Sequence, residues 1–271
     1  MRRVPVGRLP GTPGQRCRTG RVTRLSYPCA VSSTRRLRGL IIDWGGVLTP
    51  SLDGAMEQWA AAEGVDFEHF RDVILAWVGR RGLQDTGIPD AAEAPVASLE
   101  QASDAGVAGS SPVHLLERGE LRPQDFERAL AQELAKRGSP VEPEGLLNRL
   151  LSGLRGLDPT MLDLVRRARA AGLRTALLSN SWGDHYPKEL WDDLFDAVVI
   201  SGRVGMRKPD PRIFVYVAEQ LGLTPAECVM VDDLPHNVRG AVAAGMVAVR
   251  HTDAPTTMAE LEALFELPLH G

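Results

Sequence analysis

Short apolar runs alternate with amphipathic segments over the second half of the chain. A short apolar run between turn residues is typical of a strand that is buried on both faces. Such runs predict strands at about 174–178, 197–200, 228–231 and 247–250. Repeated alternation of strand and helix favours a parallel sheet with helices on both of its faces.

Helix start and stop signals fall between the predicted strands. Asp158 and Pro159 are expected to begin a helix that ends at Gly172. Asp210 as N-cap and Pro211 at the first helical position begin another helix. The core face of that second helix is marked by Ile213, Phe214, Val217 and Leu221. A final helix is predicted from about Thr257 to Phe265.

The segment between the apolar run Gly39–Ile42 and Asp158 does not follow this alternation. Helical patterns are predicted for about Glu57 to Val78 with a break at Gly64, for the segment from Arg122-Pro123 to Gly138, and for about Pro143 to Leu154. Residues 82–112 are rich in Ala, Gly, Ser and Asp without a clear period, which predicts a flexible insertion. We therefore expect residues 50–157 to form an inserted helical domain, and residues 39–49 and 158–271 to form an α/β core.

Charge is distributed unevenly along the chain. Residues 1–42 contain ten arginines and no acid, and we expect residues 1–38 to be a disordered basic leader. The rest of the chain has 21 cations against 35 acids, so its charge does not favour binding to nucleic acid. No apolar run has membrane-spanning length, and the three cysteines show no metal-binding spacing. Their odd number suits a reducing, cytoplasmic location.

Polar side chains stand where the predicted strands end. Asp43 follows the first apolar run, Ser179 and Asn180 follow the second, and the acid pair Asp232-Asp233 follows a third. In open parallel sheets, ligands bind outside the carboxyl ends of the strands. We therefore expect these side chains to lie close together, with Lys208, which precedes a helix start, beside them.

The order and wording of these motifs resemble the haloacid dehalogenase-like hydrolase superfamily. The resemblance rests on Leu177-Leu-Ser-Asn-Ser-Trp182, Gly205-Met-Arg-Lys-Pro-Asp-Pro211 and Val231-Asp-Asp233. It is most similar to members like the N-terminal phosphatase domain of soluble epoxide hydrolase. The resemblance implies a doubly wound, Rossmann-like sheet and an inserted helical cap that closes over the active site and selects the substrate.

The resemblance also implies a reaction, the Mg²⁺-dependent hydrolysis of a small phosphorylated metabolite. Asp43 would be the nucleophile and would form an aspartyl-phosphate. Lys208 would pair with Asp43 and the phosphoryl group, while Ser179 and the Asn180 backbone N–H would bind phosphate oxygens. The implied Mg²⁺ ligands are Asp43, the Gly45 carbonyl and the acid pair Asp232-Asp233. Asp233 is expected to be the direct ligand, and Asp232 either binds or orients.

Gly45 departs from the pattern of many phosphatases that this chain resembles. Those proteins carry a second Asp two residues after the nucleophile, which protonates the leaving group and then activates water. General acid–base help of this kind contributes roughly 100- to 10,000-fold. The alternative is a non-catalytic protein that binds a phosphorylated ligand or a protein partner. A residue elsewhere in the chain could instead supply the proton that Gly45 cannot, and the histidines considered for this role are His69, His114 and His185.

Overall fold

Five parallel strands form one sheet in the structure, a computed structural model that describes residues 36–83, 111–183 and 186–269. The strands are β1 (Gly39–Ile42), β2 (Arg174–Ser179), β3 (Ala197–Ile200), β4 (Cys228–Asp232) and β5 (Val247–Arg250). Their order across the sheet is β3-β2-β1-β4-β5, and every neighbouring pair is parallel. The strand order thus reverses at β1, as in a doubly wound sheet, which confirms the predicted α/β fold.

Helices connect and flank the strands. They are α1 (Leu52–Glu63), α2 (Phe67–Leu83), α3 (Pro112–Glu117), α4 (Pro123–Lys136), α5 (Leu146–Leu150), α6 (Pro159–Ala170), α7 (Trp191–Leu194), α8 (Ser201–Val204), α9 (Pro211–Gln220), α10 (Pro235–Ala243) and α11 (Ala254–Phe265). Short 3₁₀ helices span Leu151–Arg155, Lys188–Leu190 and Pro225–Glu227. The predicted break at Gly64 is confirmed, since α1 ends there in a left-handed conformation.

Two helices begin earlier than the sequence pattern predicts. α1 begins at Leu52 rather than about Glu57, because the Ser51 side chain accepts a hydrogen bond from the Gly54 N–H. α11 begins at Ala254 rather than about Thr257, because Asp253 accepts from the Thr256 N–H. A capping side chain thus sets each helix start, ahead of the first periodic apolar residue.

The sheet is buried on both faces. Leu40 and Ile42 of β1 belong to the hydrophobic cluster under α6 and α11. Ile41 points to the other face and packs in the cluster that includes Phe214 of α9. Adjacent residues of a strand face opposite sides of a sheet, so burial of both sides explains why β1 is apolar throughout.

The helical insertion has its own hydrophobic cluster. Helices α1 to α5 bury Trp59, Phe70, Phe126 and Leu130 together, and Trp182 from the loop after β2 joins them. The predicted flexible insertion lies mostly outside the described residues. In the part of the chain that the structure describes, no helix is long and apolar enough to cross a membrane.

The first described residues precede the amino-terminal end of β1. Leu37 packs against the core, and the Arg38 carbonyl accepts a hydrogen bond from the Arg174 N–H at 2.8 Å. The predicted leader therefore overlaps the core by these two residues, while residues 1–35 lie outside the described chain.

Candidate active site

The loop that follows β1 turns back on itself. The Gly46 N–H donates to the Pro50 carbonyl at 3.2 Å, and the Leu48 N–H donates to the Trp44 carbonyl at 3.0 Å. Gly46 has φ +73°, and a Cβ at this position would collide with the carboxylate of Asp233. Only glycine combines this left-handed backbone with so close an approach of a carboxylate.

Asp43, Lys208 and Asp232 form a buried charged group at the carboxyl ends of β1 and β4. The Lys208 Nζ lies 2.7 Å from Asp43 Oδ1 and 2.6 Å from Asp232 Oδ2. Asp43 Oδ1 also accepts the Trp44 N–H at 2.7 Å. Burial raises the pKa of Asp43 well above its ordinary value, although Lys208 lowers it. Burial alone lowers the pKa of Lys208, but the two carboxylates raise it above its ordinary value, so the ammonium stays charged.

Both carboxylate oxygens of Asp232 are occupied by protein donors. Oδ1 accepts the Leu234 N–H at 3.0 Å and the Asn237 Nδ2 at 2.9 Å. Oδ2 accepts Lys208 Nζ and, at 3.1 Å, Asn237 Nδ2. Neither acid of the pair is the N-cap of α10, because that position belongs to Leu234. The contacts of Asp232 are those of a residue that positions the lysine.

Asp233 completes a cluster of three carboxylates. Oxygens of Asp43, Asp232 and Asp233 all lie within 4.8 Å of one another. Burial, and then the charge of Asp232, raises the pKa of Asp233 to about 7. Because Lys208 offsets only one of the three negative charges, the group fits a divalent cation, and carboxylate oxygens are ligands that Mg²⁺ prefers.

Ser179 and Asn180 end β2 on the other side of Asp43. The Asn180 side chain donates to the Lys208 carbonyl at 3.1 Å and accepts the Lys208 N–H at 2.9 Å. Ser179 Oγ accepts the Tyr186 hydroxyl at 2.9 Å. The Tyr186 ring meets Trp44 edge to face, with centroids 5.4 Å apart. Asn180 thus fixes the backbone of Lys208, and Asp232 fixes its ammonium group.

Gly45 has room for a side chain. Unlike Gly46, it is not among the glycines with positive φ, and an added Cβ would meet no atom within 4 Å. The fold therefore leaves open the place where an acid two residues after Asp43 would stand.

One cavity brings most of these residues together. It is lined from the sheet by Asp43, Gly45, Ser179, Asn180, Lys208 and Asp233, whereas Asp232 lies behind Lys208. From the helical insertion it is lined by Leu52, Asp53, Glu117, Asn148, Leu151, Leu154 and Arg155. The cavity thus lies between the carboxyl ends of the strands and the insertion.

Glu117 of α3 joins the helical insertion to the α/β core. Its Oε2 lies 2.5 Å from Arg207 Nε, and its Oε1 accepts the Trp182 Nε1–H at 3.1 Å. Its carbonyl accepts the Ser201 hydroxyl at 2.6 Å. Burial raises the pKa of Glu117, while Arg207 lowers it. The sequence pattern missed this residue, because its partner lies 90 positions away.

Asp53 is another cavity residue that sequence reasoning missed. Its Oδ1 is buried without a hydrogen-bond partner among the described residues. Burial, and then the charge of Glu57, raises the pKa of Asp53 to about 6. The available signal was Ser51 followed by an acid in a first helical turn, which indicates a helix start before Glu57.

Two of the three histidines considered as proton donors lie in the described chain, and neither lines this cavity. His69 Nδ1 lies 2.8 Å from Ser139 Oγ. His114 belongs to α3, and neither residue lines the cavity. His185 lies outside the described residues.

Comparison with known proteins gives a family and several relatives. The profile of the haloacid dehalogenase-like hydrolase family matches residues 37–245. Acyl-CoA dehydrogenase family member 10 of Mus musculus is 30% identical over 247 residues, which cover 88% of this chain and 20% of that protein. Sesquiterpene phosphatase astK of Aspergillus oryzae is 33% identical over 153 residues, which cover 55% of this chain and 76% of that protein.

A third relative is bifunctional epoxide hydrolase 2 of Rattus norvegicus, which is 31% identical over 116 residues. The match covers 40% of this chain and 21% of that protein. The chain therefore spans about a fifth of the length of the dehydrogenase family member and of the epoxide hydrolase. These matches confirm the resemblance that the strand-end motifs indicate.

Proposed function

This chain belongs to the haloacid dehalogenase-like hydrolase family, and from that premise we propose that it is a magnesium-dependent phosphohydrolase of a small phosphorylated metabolite. The single observation that carries the proposal is the ion pair of Asp43 with Lys208, 2.7 Å long, in a cavity that Asp233 also lines. The phosphatase among the relatives supports the same chemistry.

Asp43 is the nucleophile of the proposed reaction. Its Oδ1 is held by Lys208 and by the Trp44 N–H, so Oδ2 is the oxygen that attacks phosphorus. The attack forms an aspartyl-phosphate and divides hydrolysis into two easier steps. An ammonium has three donors, and Lys208 spends two on Asp43 and Asp232, so the third serves a phosphoryl oxygen.

Ser179 and the Asn180 backbone N–H bind the remaining phosphoryl oxygens in this proposal. The Tyr186 hydroxyl donates to Ser179 Oγ, so the serine proton is free to be given to the phosphate. Preorganised donors of this kind stabilise charge that develops on the phosphoryl group in the transition state.

Magnesium would be held by Asp43, the Gly45 carbonyl and Asp233. When bound, it compensates the negative charge of the phosphoryl group and of the three carboxylates. Asp232 is left out of the direct ligand set, because its oxygens already accept hydrogen bonds from Lys208, Leu234 and Asn237.

Residues 50–157 act as a cap that selects the metabolite. They contribute apolar side chains of Leu52, Leu151 and Leu154 to the cavity, together with the charged Arg155. This lining favours an organic group with apolar surface attached to the phosphate.

The test is phosphate release from a panel of phosphate monoesters and acyl phosphates, with Mg²⁺ or with a chelator. The native protein should release phosphate only with Mg²⁺, and Asp43→Asn should abolish release while the protein stays folded. Turnover that persists in Asp43→Asn would remove Asp43 from its role. Tight Mg²⁺-dependent binding of a phosphorylated compound without any turnover would favour a non-catalytic binding protein.

A further inference from the structure

We propose that Asp53, in the first turn of α1, is the general acid and base of the reaction and replaces the carboxylic acid that Gly45 lacks. The role rests on the proposed function, since it assigns a residue to the same phosphoryl transfer. It places the proton-transfer group on the helical insertion rather than on the loop after β1.

The backbone brings Asp53 to the reacting end of the cavity. The hydrogen bond from the Gly46 N–H to the Pro50 carbonyl closes the loop, so α1 begins beside the glycines that follow Asp43. Asp53 lines the same cavity as Asp43, Gly45 and Lys208. The space beside Gly45 is open, because a Cβ there meets no atom within 4 Å.

The carboxyl group of Asp53 lacks the hydrogen bonds that a buried acid with a purely structural role makes. Its Oδ1 is buried and has no hydrogen-bond partner in the described part of the chain. Buried polar atoms of folded proteins are nearly always hydrogen-bonded, and an exception calls for an explanation. A group that exchanges a proton with substrate and water gains its partners when the substrate binds.

The other acidic groups of the cavity are already committed. Within the described chain, the carboxyl and phenol side chains that line it are Asp43, Asp53, Glu117, Tyr186 and Asp233. Glu117 is bound by Arg207 and Trp182. The Tyr186 hydroxyl donates a hydrogen bond to Ser179 Oγ, and burial raises the pKa of Tyr186. Asp43 and Asp233 serve as nucleophile and metal ligand, so Asp53 is the remaining acid.

The electrostatic surroundings raise the pKa of the Asp53 carboxyl group towards neutrality, so that its protonated and ionised forms coexist in mildly acidic solution. Burial, and then the negative charge of Glu57 on the same helix, raises the pKa of Asp53 to about 6, while Arg71 of α2 lowers it. Asp233 faces it from the loop after β4, and the two carboxyl groups repel each other. Arg155 of the neighbouring 3₁₀ helix also lines the cavity.

The proton passes twice through Asp53. In the first step Asp43 Oδ2 forms a bond to phosphorus, the bond from phosphorus to the leaving oxygen breaks, and that oxygen takes the proton of Asp53. In the second step a water oxygen attacks the aspartyl-phosphate, its proton returns to the Asp53 carboxylate, and the bond from phosphorus to Asp43 breaks. Alcohol and inorganic phosphate leave, and both carboxyl groups return to their starting states.

The experiment compares butyl phosphate with para-nitrophenyl phosphate in native protein and in Asp53→Asn, with Mg²⁺. Butyl phosphate has a poor leaving group, so its cleavage should fall by about 100-fold or more. Para-nitrophenol needs no proton to leave, so the variant should release it in a rapid burst and then turn over slowly as aspartyl-phosphate accumulates. In the native protein, the rate of butyl phosphate cleavage should fall as the pH rises through the pKa of Asp53. This fall should be absent in the variant.

A second variant and a control keep the test specific. Gly45→Asp in the Asp53→Asn background should restore butyl phosphate cleavage and remove the burst, since the space beside Gly45 accepts a side chain. Glu63→Gln removes an exposed acid from the other end of the same helix and should keep native rates without a burst.

Native-like steady-state turnover by Asp53→Asn would overturn this role, as would an equal loss on both esters without a burst. In either case turnover that depends on Asp43 would leave the proposed phosphohydrolase intact. A native protein that cleaves para-nitrophenyl phosphate but not butyl phosphate would also overturn the role of Asp53. Failure of the native protein to cleave any ester would overturn both proposals.

Discussion

Gly45 and Gly46, which are adjacent in the loop after β1, differ in whether the fold requires a glycine. Gly46 requires glycine, because its φ is +73° and the Asp233 carboxylate lies against its Cα. Gly45 meets neither restriction. The sequence pair Gly-Gly therefore contains one residue that the fold needs and one that leaves the acid position empty.

This difference predicts opposite outcomes for two alanine substitutions. Gly46→Ala should lower the free energy of unfolding by about 1–2 kcal/mol or more, the cost of a left-handed backbone for alanine, and should also weaken Mg²⁺ binding by displacing Asp233. Gly45→Ala should change the free energy of unfolding by less than about 0.5 kcal/mol. Urea unfolding and Mg²⁺ titration check both, and equal effects of the two substitutions would contradict the loop geometry.

His114 should make stability depend on pH. Burial, and then the charges of Arg207 and Arg118, lowers its pKa to about 4 from 6.5. Between these values the unfolded chain binds the proton more readily than the folded chain, so the contribution of His114 to stability falls as pH falls. His114→Gln should therefore show a smaller drop in Tm from pH 6.5 to pH 4 than the native protein. Parallel profiles would contradict the shift.

At the scale of elements, the apolar pattern predicted the sheet and most helices because each carries its own local signal. The strand that ends at Asp232 is apolar throughout, and Asp210 caps α9 as expected. The start of α1 was missed, because Ser51 and Asp53 precede the first periodic apolar position. α3 was missed because its six residues are too few to show a helical period.

The contact between α3 and the core gives a prediction at the scale of elements. Glu117 is 3% exposed, and its carboxylate holds Arg207 in a buried ion pair. Glu117→Gln removes the charge that this arginine binds, and breaking a buried pair costs about 3–5 kcal/mol. The free energy of unfolding in urea should fall by an amount of that order.

Glu120 provides the matched control for that substitution. It lies three positions further along and pairs with Arg118, but the pair is exposed to solvent. Exposed ion pairs contribute little to stability, so Glu120→Gln should leave the urea midpoint close to native. Similar midpoints for both variants would show that Glu117 does not join the insertion to the core.

At the scale of the whole molecule, the sequence predicted the half of the cavity that comes from strand ends. Asp43, Ser179 and Asp233 could be placed together, because parallel strands bring their carboxyl ends to one edge of the sheet. Lys208, which precedes the start of α9, was expected beside them. The half contributed by the insertion could not. Asp53 and other residues of the insertion reach the cavity only through tertiary packing of helices, which no local spacing encodes.

Covalent phosphorylation of Asp43 is the step on which the proposed reaction depends, and mass spectrometry can detect it. Native protein is mixed with Mg²⁺ and para-nitrophenyl phosphate, quenched in acid during turnover, and digested for mass spectrometry. Asp53→Asn is quenched in parallel, because the intermediate should accumulate in it. The proposed mechanism predicts one phosphoryl group on the peptide that contains Asp43, absent from Asp43→Asn and absent without Mg²⁺. Turnover without that adduct in either protein, or an adduct on another residue, would contradict it.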